Sequence, residues 1–137
     1  MTGRAFVDTN VLVYAVGPAS AKRQKAEALL LSVGDAVISS QVIAEFVNVC
    51  LKKQILPEKE IGPAAEDFMD VLRFEAVVET TIRRGLDVRE RYGFSWWDSL
   101  IVAAALEAGC TELYSEDLQD GQVIEGRLRI INPFTAP

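Results

Sequence analysis

The chain has 137 residues, half of them hydrophobic, with 20 acids against 14 bases, no histidine and a net charge of −6. That is the size of one ordinary domain with enough apolar material for a substantial core, which argues against disorder. The acidic balance argues against a surface that binds nucleic acid by charge alone, and the missing histidines remove histidine acid–base chemistry.

Residues 4–7 read as a first strand, followed by a short helix over 10–16 that Gly17-Pro18 stops. Ser20 suits the N-cap of a second helix running through Val33, with Ala26, Leu29, Leu30 and Val33 on one face and Gly34 at its end. Residues 36–39 form a second short strand. A third helix covers 41–53 and ends in positive charge, where the helix dipole favours it. Pro57 punctuates, and a fourth helix covers 58–71, which Gly62-Pro63 should shorten or kink. Residues 74–78 read as a third strand. Thr80 or Thr81 starts a fifth helix that ends near Tyr92-Gly93, and Ser95 caps a sixth over 96–108, closed by Gly109. Leu113-Tyr114 lies in a fourth strand, and 128–131 form the last.

Strands that alternate with helices, with little polar alternation inside the strands, indicate an α/β fold. Its central sheet is expected to be mostly parallel, with about five strands covered by helices on both faces. One domain over 1–137 is expected, without repeat or linker. The Gly-rich stretch 121–126 lacks phosphate-loop spacing, and neither GxGxxG nor GxxxxGK[ST] occurs. The longest strongly apolar run, 100–106, is too short to cross a bilayer, and Asp8 and Asn10 interrupt the only signal-sequence candidate. A cytosolic protein without a membrane partner is expected. Cys50 and Cys110 have no metal-ligand or disulfide pattern and read as small buried residues.

In a parallel α/β sheet the functional crevice lies beyond the carboxyl ends of the strands. Four acids are expected at that edge. Asp8 follows strand one within Phe6-Val7-Asp8-Thr9-Asn10. Glu45 lies in the first turns of the third helix, Asp98 in the first turn of the sixth, and Asp117 after the fourth strand. Each has a plainer reading. Asp8 is a helix cap, Asp98 closes a capping box with Ser95, Glu45 belongs to a solvated stripe with Gln41, Asn48 and Lys52, and Asp117 is part of an acidic turn. The plain readings must hold four times, always at the same edge. Carboxylates gathered in a small volume raise one another's pKa, and a hard divalent cation resolves this. Mg²⁺ or Mn²⁺ takes oxygen ligands, keeps waters and suits phosphodiester hydrolysis.

These segments resemble PIN-domain ribonucleases, in particular the VapC-type toxins of VapBC toxin–antitoxin pairs. The likeness rests on Phe6-Val7-Asp8-Thr9-Asn10, the stretch 38–49 around Glu45, the stretch 94–105 around Asp98, and Leu113-Tyr114-Ser115-Glu116-Asp117-Leu118. It spans nearly the whole chain. It implies a PIN-like three-layer α/β/α sandwich and a Mg²⁺- or Mn²⁺-dependent endoribonuclease with Asp8, Glu45, Asp98 and Asp117 as its acidic quartet. Asp8, Asp98 and Asp117 would be metal ligands. Thr9, Asn10 and Ser115 would orient the carboxylates, with Asp120 a peripheral acid. The resemblance also implies an RNA substrate, a homodimer and a small VapB-type antitoxin, whose groove the apolar stretches 11–16 and 26–31 could form; ordinary core packing explains those stretches equally well. The alternatives are a catalytically degenerate PIN-fold module that only binds RNA or a partner, and a structure-specific DNA nuclease. A haloacid-dehalogenase-type phosphatase is disfavoured by Asn10, which stands where a second acid is needed.

Overall fold

Consecutive residues of a strand face opposite sides of the sheet, so a strand buried at every position must be covered on both. In the computed structural model, which describes residues 3–135, β1 (Arg4–Val7) is buried at all but its first residue and β2 (Ala36–Ser39) at all four. The remaining strands are β3 (Arg73–Glu75), β4 (Cys110–Tyr114), β5 (Val123–Ile124) and β6 (Leu128–Ile131). They form one six-stranded sheet in the order β3-β2-β1-β4-β6-β5. Five strands run parallel, and β5 alone is antiparallel, against β6.

Among the described residues six helices cover this sheet: α1 (Thr9–Val16), α2 (Ala21–Ser32), α3 (Ser40–Lys53), α4 (Glu58–Val71), α5 (Glu79–Tyr92) and α6 (Trp96–Glu107). Helix α1 packs on α2 and α3, α3 packs on α4, and α5 pairs with α6. Residues 99–106 of α6 are all buried, as befits a helix that is apolar all round. Phe6, Leu12, Ile38, Phe46, Ile101, Leu106 and Leu113 are among the largest side chains of the shared core. Gly85 lets α5 approach α6 closely, since a Cβ there would lie 3.3 Å from the Trp96 ring. Cys50 and Cys110 are buried and unpaired.

Most element boundaries fall within one or two residues of expectation, and the departures have local causes. Strand β3 stops at Glu75 rather than 78 because the Val77 N–H donates to Ser40 Oγ (2.9 Å) and leaves the ladder. Helix α4 is unbroken across Pro63, against the expected shortening. Proline this early removes one helical hydrogen bond. Burial of Ile61 and Ala65, and an edge-to-face contact of Phe68 with Phe46 at 5.4 Å, hold the rest. The stretch 121–126 is neither loop nor phosphate cradle: it contains β5 and the turn into β6. Glu125 (φ 52°) and Gly126 (φ 68°) both adopt left-handed backbone there, the requirement of a tight hairpin turn. Glutamate at such a position gives no turn signal. It is held by Tyr92 Oη, which accepts from its N–H (2.9 Å), and by Arg84 on its carboxylate (2.9 Å). In the apolar stretches 11–16 and 26–31, Val11, Leu12 and Ala26 are core, while Leu31 is 89% exposed. Core packing therefore accounts for most of that apolar character. Among the described residues no helix is long and apolar enough to cross a membrane.

The Gly126 backbone predicts a specific penalty. A Cβ there meets no atom within 4 Å, so the cost of Gly126→Ala is conformational alone, about 1 kcal/mol. Urea unfolding should show a lower midpoint with an unchanged slope; an unchanged midpoint would place the hairpin outside the cooperative unit.

Candidate functional site

The strand order makes the site. From β1 the chain steps outward to β2 and β3, whereas β4 returns to the other side of β1 and leads on to β6. The connections diverge between β1 and β4, and this switch point opens a crevice at the strands' carboxyl ends. The two strands are in register with Val7 opposite Tyr114, after an irregularity at Arg4/Ala5. The Asp8 N–H extends the ladder by donating to Tyr114 O (3.0 Å). Asp8 and Ser115, the next residue on each strand, therefore meet.

Asp8 is 5% exposed. Its Oδ1 accepts from the Thr9 N–H (2.7 Å), capping α1, and its Oδ2 accepts from Ser115 Oγ (2.7 Å). Burial pushes its pKa up to about 6, against the lowering effect of these two hydrogen bonds; Asp117 and Glu45 add repulsion. Both hydrogen-bond donors are uncharged. Thr9 Oγ1 donates to Glu45 Oε1 (2.9 Å), which joins α1 to α3. Asn10 Nδ2 donates to Asp117 Oδ2 (3.2 Å) and its Oδ1 accepts from the Glu116 N–H (3.4 Å). Ser115 Oγ also accepts from the Asp117 N–H (3.1 Å). In α6, Ser95 Oγ accepts from the Asp98 N–H (3.2 Å), and burial raises the Asp98 pKa, with Asp117 and Glu45 adding to the rise.

Asp8, Glu45, Asp98 and Asp117 line one open cleft of about 500 Å³. Thr9 and Asn10 line it with them, and Ser115 sits beneath, buried. The cap readings of Asp8 and Asp98 describe real hydrogen bonds, yet neither excludes the cleft. The solvated-stripe reading of Glu45 does not survive, since Glu45 is half-buried and Gln41 buried. Asp120 lies elsewhere: its Oδ1 accepts from the Asn132 N–H (2.8 Å) beyond β6, and it does not line the cleft.

The sequence did not single out Tyr14 and Glu116, which also line the cleft, nor Lys22, which contacts both. Glu116 accepts from Tyr14 Oη (2.6 Å) and from Lys22 Nζ (2.9 Å). Burial raises its pKa, but these partners outweigh it and hold the group below the ordinary carboxylate range. The signal for Glu116 was its place beside Asp117. Tyr14, one helical turn after Asn10, had none. Lys53 is the one basic residue among those lining the cleft.

The donors facing the cleft are carboxylate, amide and hydroxyl oxygens, the set a hard divalent cation prefers. Among the described residues no three or more Asp, Glu, Cys or His side chains stand close enough together to hold a metal ion as they are. The fit is that of an open site, where water and substrate complete the coordination.

Comparison with known proteins bears on the family and the fold. The model of the PIN domain family matches residues 5–119. Ribonuclease VapC7 of Mycobacterium tuberculosis is 30% identical over 116 residues, covering 81% of this chain and 80% of that protein. Among solved structures, a chain of a toxin–antitoxin complex from Klebsiella pneumoniae aligns with a TM-score of 0.73 at 20% identity, over 95% of this chain and 98% of that one. The sarcin–ricin loop cleaving toxin VapC20 of Mycobacterium tuberculosis aligns with a TM-score of 0.68 at 19% identity, over 80% and 86%. At such identities the structures speak for the fold. The family match spans β1 through the segment after β4, the same stretch that supplies Asp8, Glu45, Asp98 and Asp117, and with a relative of this identity it makes the chain a member of the PIN-domain family.

Proposed function

We propose that this chain, as a single PIN-like nuclease domain, is a divalent-metal-dependent endoribonuclease and the toxin of a toxin–antitoxin pair. The observation that carries the reading is the buried Asp8 carboxylate, held by two uncharged donors in a cleft it shares with Glu45, Asp98 and Asp117. PIN-domain ribonucleases generally use divalent metals. Asp8, Asp98 and Asp117 would hold Mg²⁺ or Mn²⁺, which supplies positive charge against a phosphate and lowers the pKa of water. Glu45, tethered by Thr9 across to α1, is placed to orient the attacking water. Asn10 holds Asp117 and Ser115 holds Asp8, each through a single donated hydrogen bond. Helices α1 and α6 begin at the cleft, with Thr9 and Asp98 in their first turns, and the positive ends of their dipoles would favour the anionic backbone of RNA there. The antitoxin partner is inferred from the toxin–antitoxin complex whose chain shares this fold; a homodimer and a cytoplasmic site of action belong to the same reading.

Three outcomes test it. Asp8→Asn keeps an N-cap side chain at α1, so it should abolish RNA cleavage while the protein stays folded. EDTA should abolish wild-type cleavage, and Mn²⁺ should restore it. Equal cleavage by wild type and variant, or indifference to EDTA, overturns the assignment.

The pKa of Asp8 sets the second outcome. Its folded value, about 6, exceeds the ordinary 3.8, so the folded state binds the extra proton. The stability from this group is fully present below about 4 and is lost as pH rises through about 6. Metal-free wild type should therefore melt higher at pH 5 than at pH 7.5. Asp8→Asn should flatten that dependence and raise metal-free stability at pH 7.5 by on the order of 1–3 kcal/mol. A fall in the variant's melting temperature at pH 7.5 would mean the acid serves mainly the fold.

Third, Mn²⁺ should raise the wild-type melting temperature through binding to the folded state and leave Asp8→Asn little changed. An equal rise in both would place the ion elsewhere.

A further inference from the structure

Gln41 lies in the first turn of α3 among the buried residues Val42 and Ile43, and is only 9% exposed. Its Nε2 donates to the Trp97 carbonyl oxygen (3.1 Å) and to Glu45 Oε2 (3.4 Å). Both neighbours are acceptors, which fixes the orientation of the amide: reversed, an acceptor would face two acceptors. The consequence falls on the other atom. Gln41 Oε1 is buried without a hydrogen-bond partner, the one such side-chain atom among the described residues. A buried unsatisfied acceptor destabilises a fold, and an apolar side chain of similar size avoids that cost. Stability therefore does not account for glutamine at this position.

The two donated bonds do account for it. Glu45 Oε1 is held from α1 by Thr9 and Oε2 from within α3 by Gln41. The second Gln41 bond anchors that arrangement to the backbone of α6 one residue before Asp98. One amide thus sets the direction of one cleft acid and ties it to the turn that carries another. We propose that Gln41 is a positioning residue for the acid cluster, retained for the placement of Glu45 relative to Asp98 at a cost in fold stability. It acts through Glu45 and α6, and the inference rests on the metal-nuclease reading above.

The test compares wild type with Gln41→Leu and Gln41→Glu by metal-free melting, Mn²⁺ titration and steady-state RNA cleavage. Gln41→Leu removes both the orphan acceptor and the two donors. It should melt at or above the wild-type temperature, while kcat falls by ~10–100-fold, the usual range for groups that orient such ligands, and KM for RNA stays within about twofold. Gln41→Glu keeps the shape but removes the donors, and its kcat should fall as far. A merely structural glutamine gives the opposite result: Gln41→Leu melts lower and its folded fraction keeps the wild-type kcat, which overturns the proposal. Wild-type kcat in Gln41→Glu overturns it as well, because the shape alone would then suffice. If wild type neither binds Mn²⁺ nor cleaves RNA, the nuclease reading itself fails and takes this inference with it. If wild type does both and Gln41→Leu matches its kcat, only the role of Gln41 is refuted.

Discussion

The parallel pairing of β1 with β4 is the constraint on which the site depends. With Val7 opposite Tyr114, the next residues, Asp8 and Ser115, fall side by side at the switch point, and Ser115 Oγ reaches Asp8 Oδ2 at 2.7 Å. A slip of one residue would carry Asp8 or Arg4 into a core place that Val7 or Ala5 fills. Ala5, Phe6 and Val7 are all buried, so the core enforces the register. The hydrophobic pattern of two four- and five-residue strands thereby locates a carboxylate to within a hydrogen-bond length.

Local helix chemistry then does two things with the same atoms. Asp8 caps α1 and Ser95 caps α6 at Asp98, so the groups that start these helices are also at, or adjacent to, the cleft acids. Thr9 and Asn10, the first residues of α1, send their side chains to Glu45 and Asp117. Three consecutive residues, Asp8, Thr9 and Asn10, thus connect to β4, α3 and the segment after β4. A single short segment at the start of α1 joins three of the cleft's elements that are distant in sequence, and Gln41 joins α3 to α6.

This explains what was legible in the sequence. An apolar run that ends in Asp-Thr-Asn is visible as a strand meeting a helix, and the other acids stand near element boundaries that caps and glycines mark. Burial by a neighbour that arrives later in the chain was not legible. The α3 stripe of Gln41, Glu45 and Asn48 has the spacing of a solvated face, and only the approach of Trp97 on α6 covers Gln41. Strand β5 was hidden for a different reason. It has two residues, and its turn places Glu125 in a backbone conformation that glutamate rarely adopts, with Tyr92, Arg84 and Arg91 providing tertiary support. Pro63 misled because the rule against proline describes a local cost, and here burial of the α4 face outweighs it.

The treatment of the remaining acids gives the cleft its meaning. Asp35 lies between Arg4 and Arg73, and their hydrogen bonds hold its pKa below the ordinary range. Glu125 is paired with Arg84 and Arg91, and Glu116 with Lys22. The chain therefore neutralises acids internally where they brace the fold. Among the described residues no ion pair joins a basic side chain to Asp8, Glu45, Asp98 or Asp117, although two of them have pKa values raised by burial and by one another. Charge left uncompensated in a half-buried site is destabilising unless something from outside neutralises it. The supporting contacts from Thr9, Asn10, Gln41 and Ser115 keep the Asp8, Glu45 and Asp117 carboxylates aimed while doing nothing to cancel their charge. That separation of aiming from neutralising is what a site for an external divalent cation requires, and a purely structural acid cluster has no use for it.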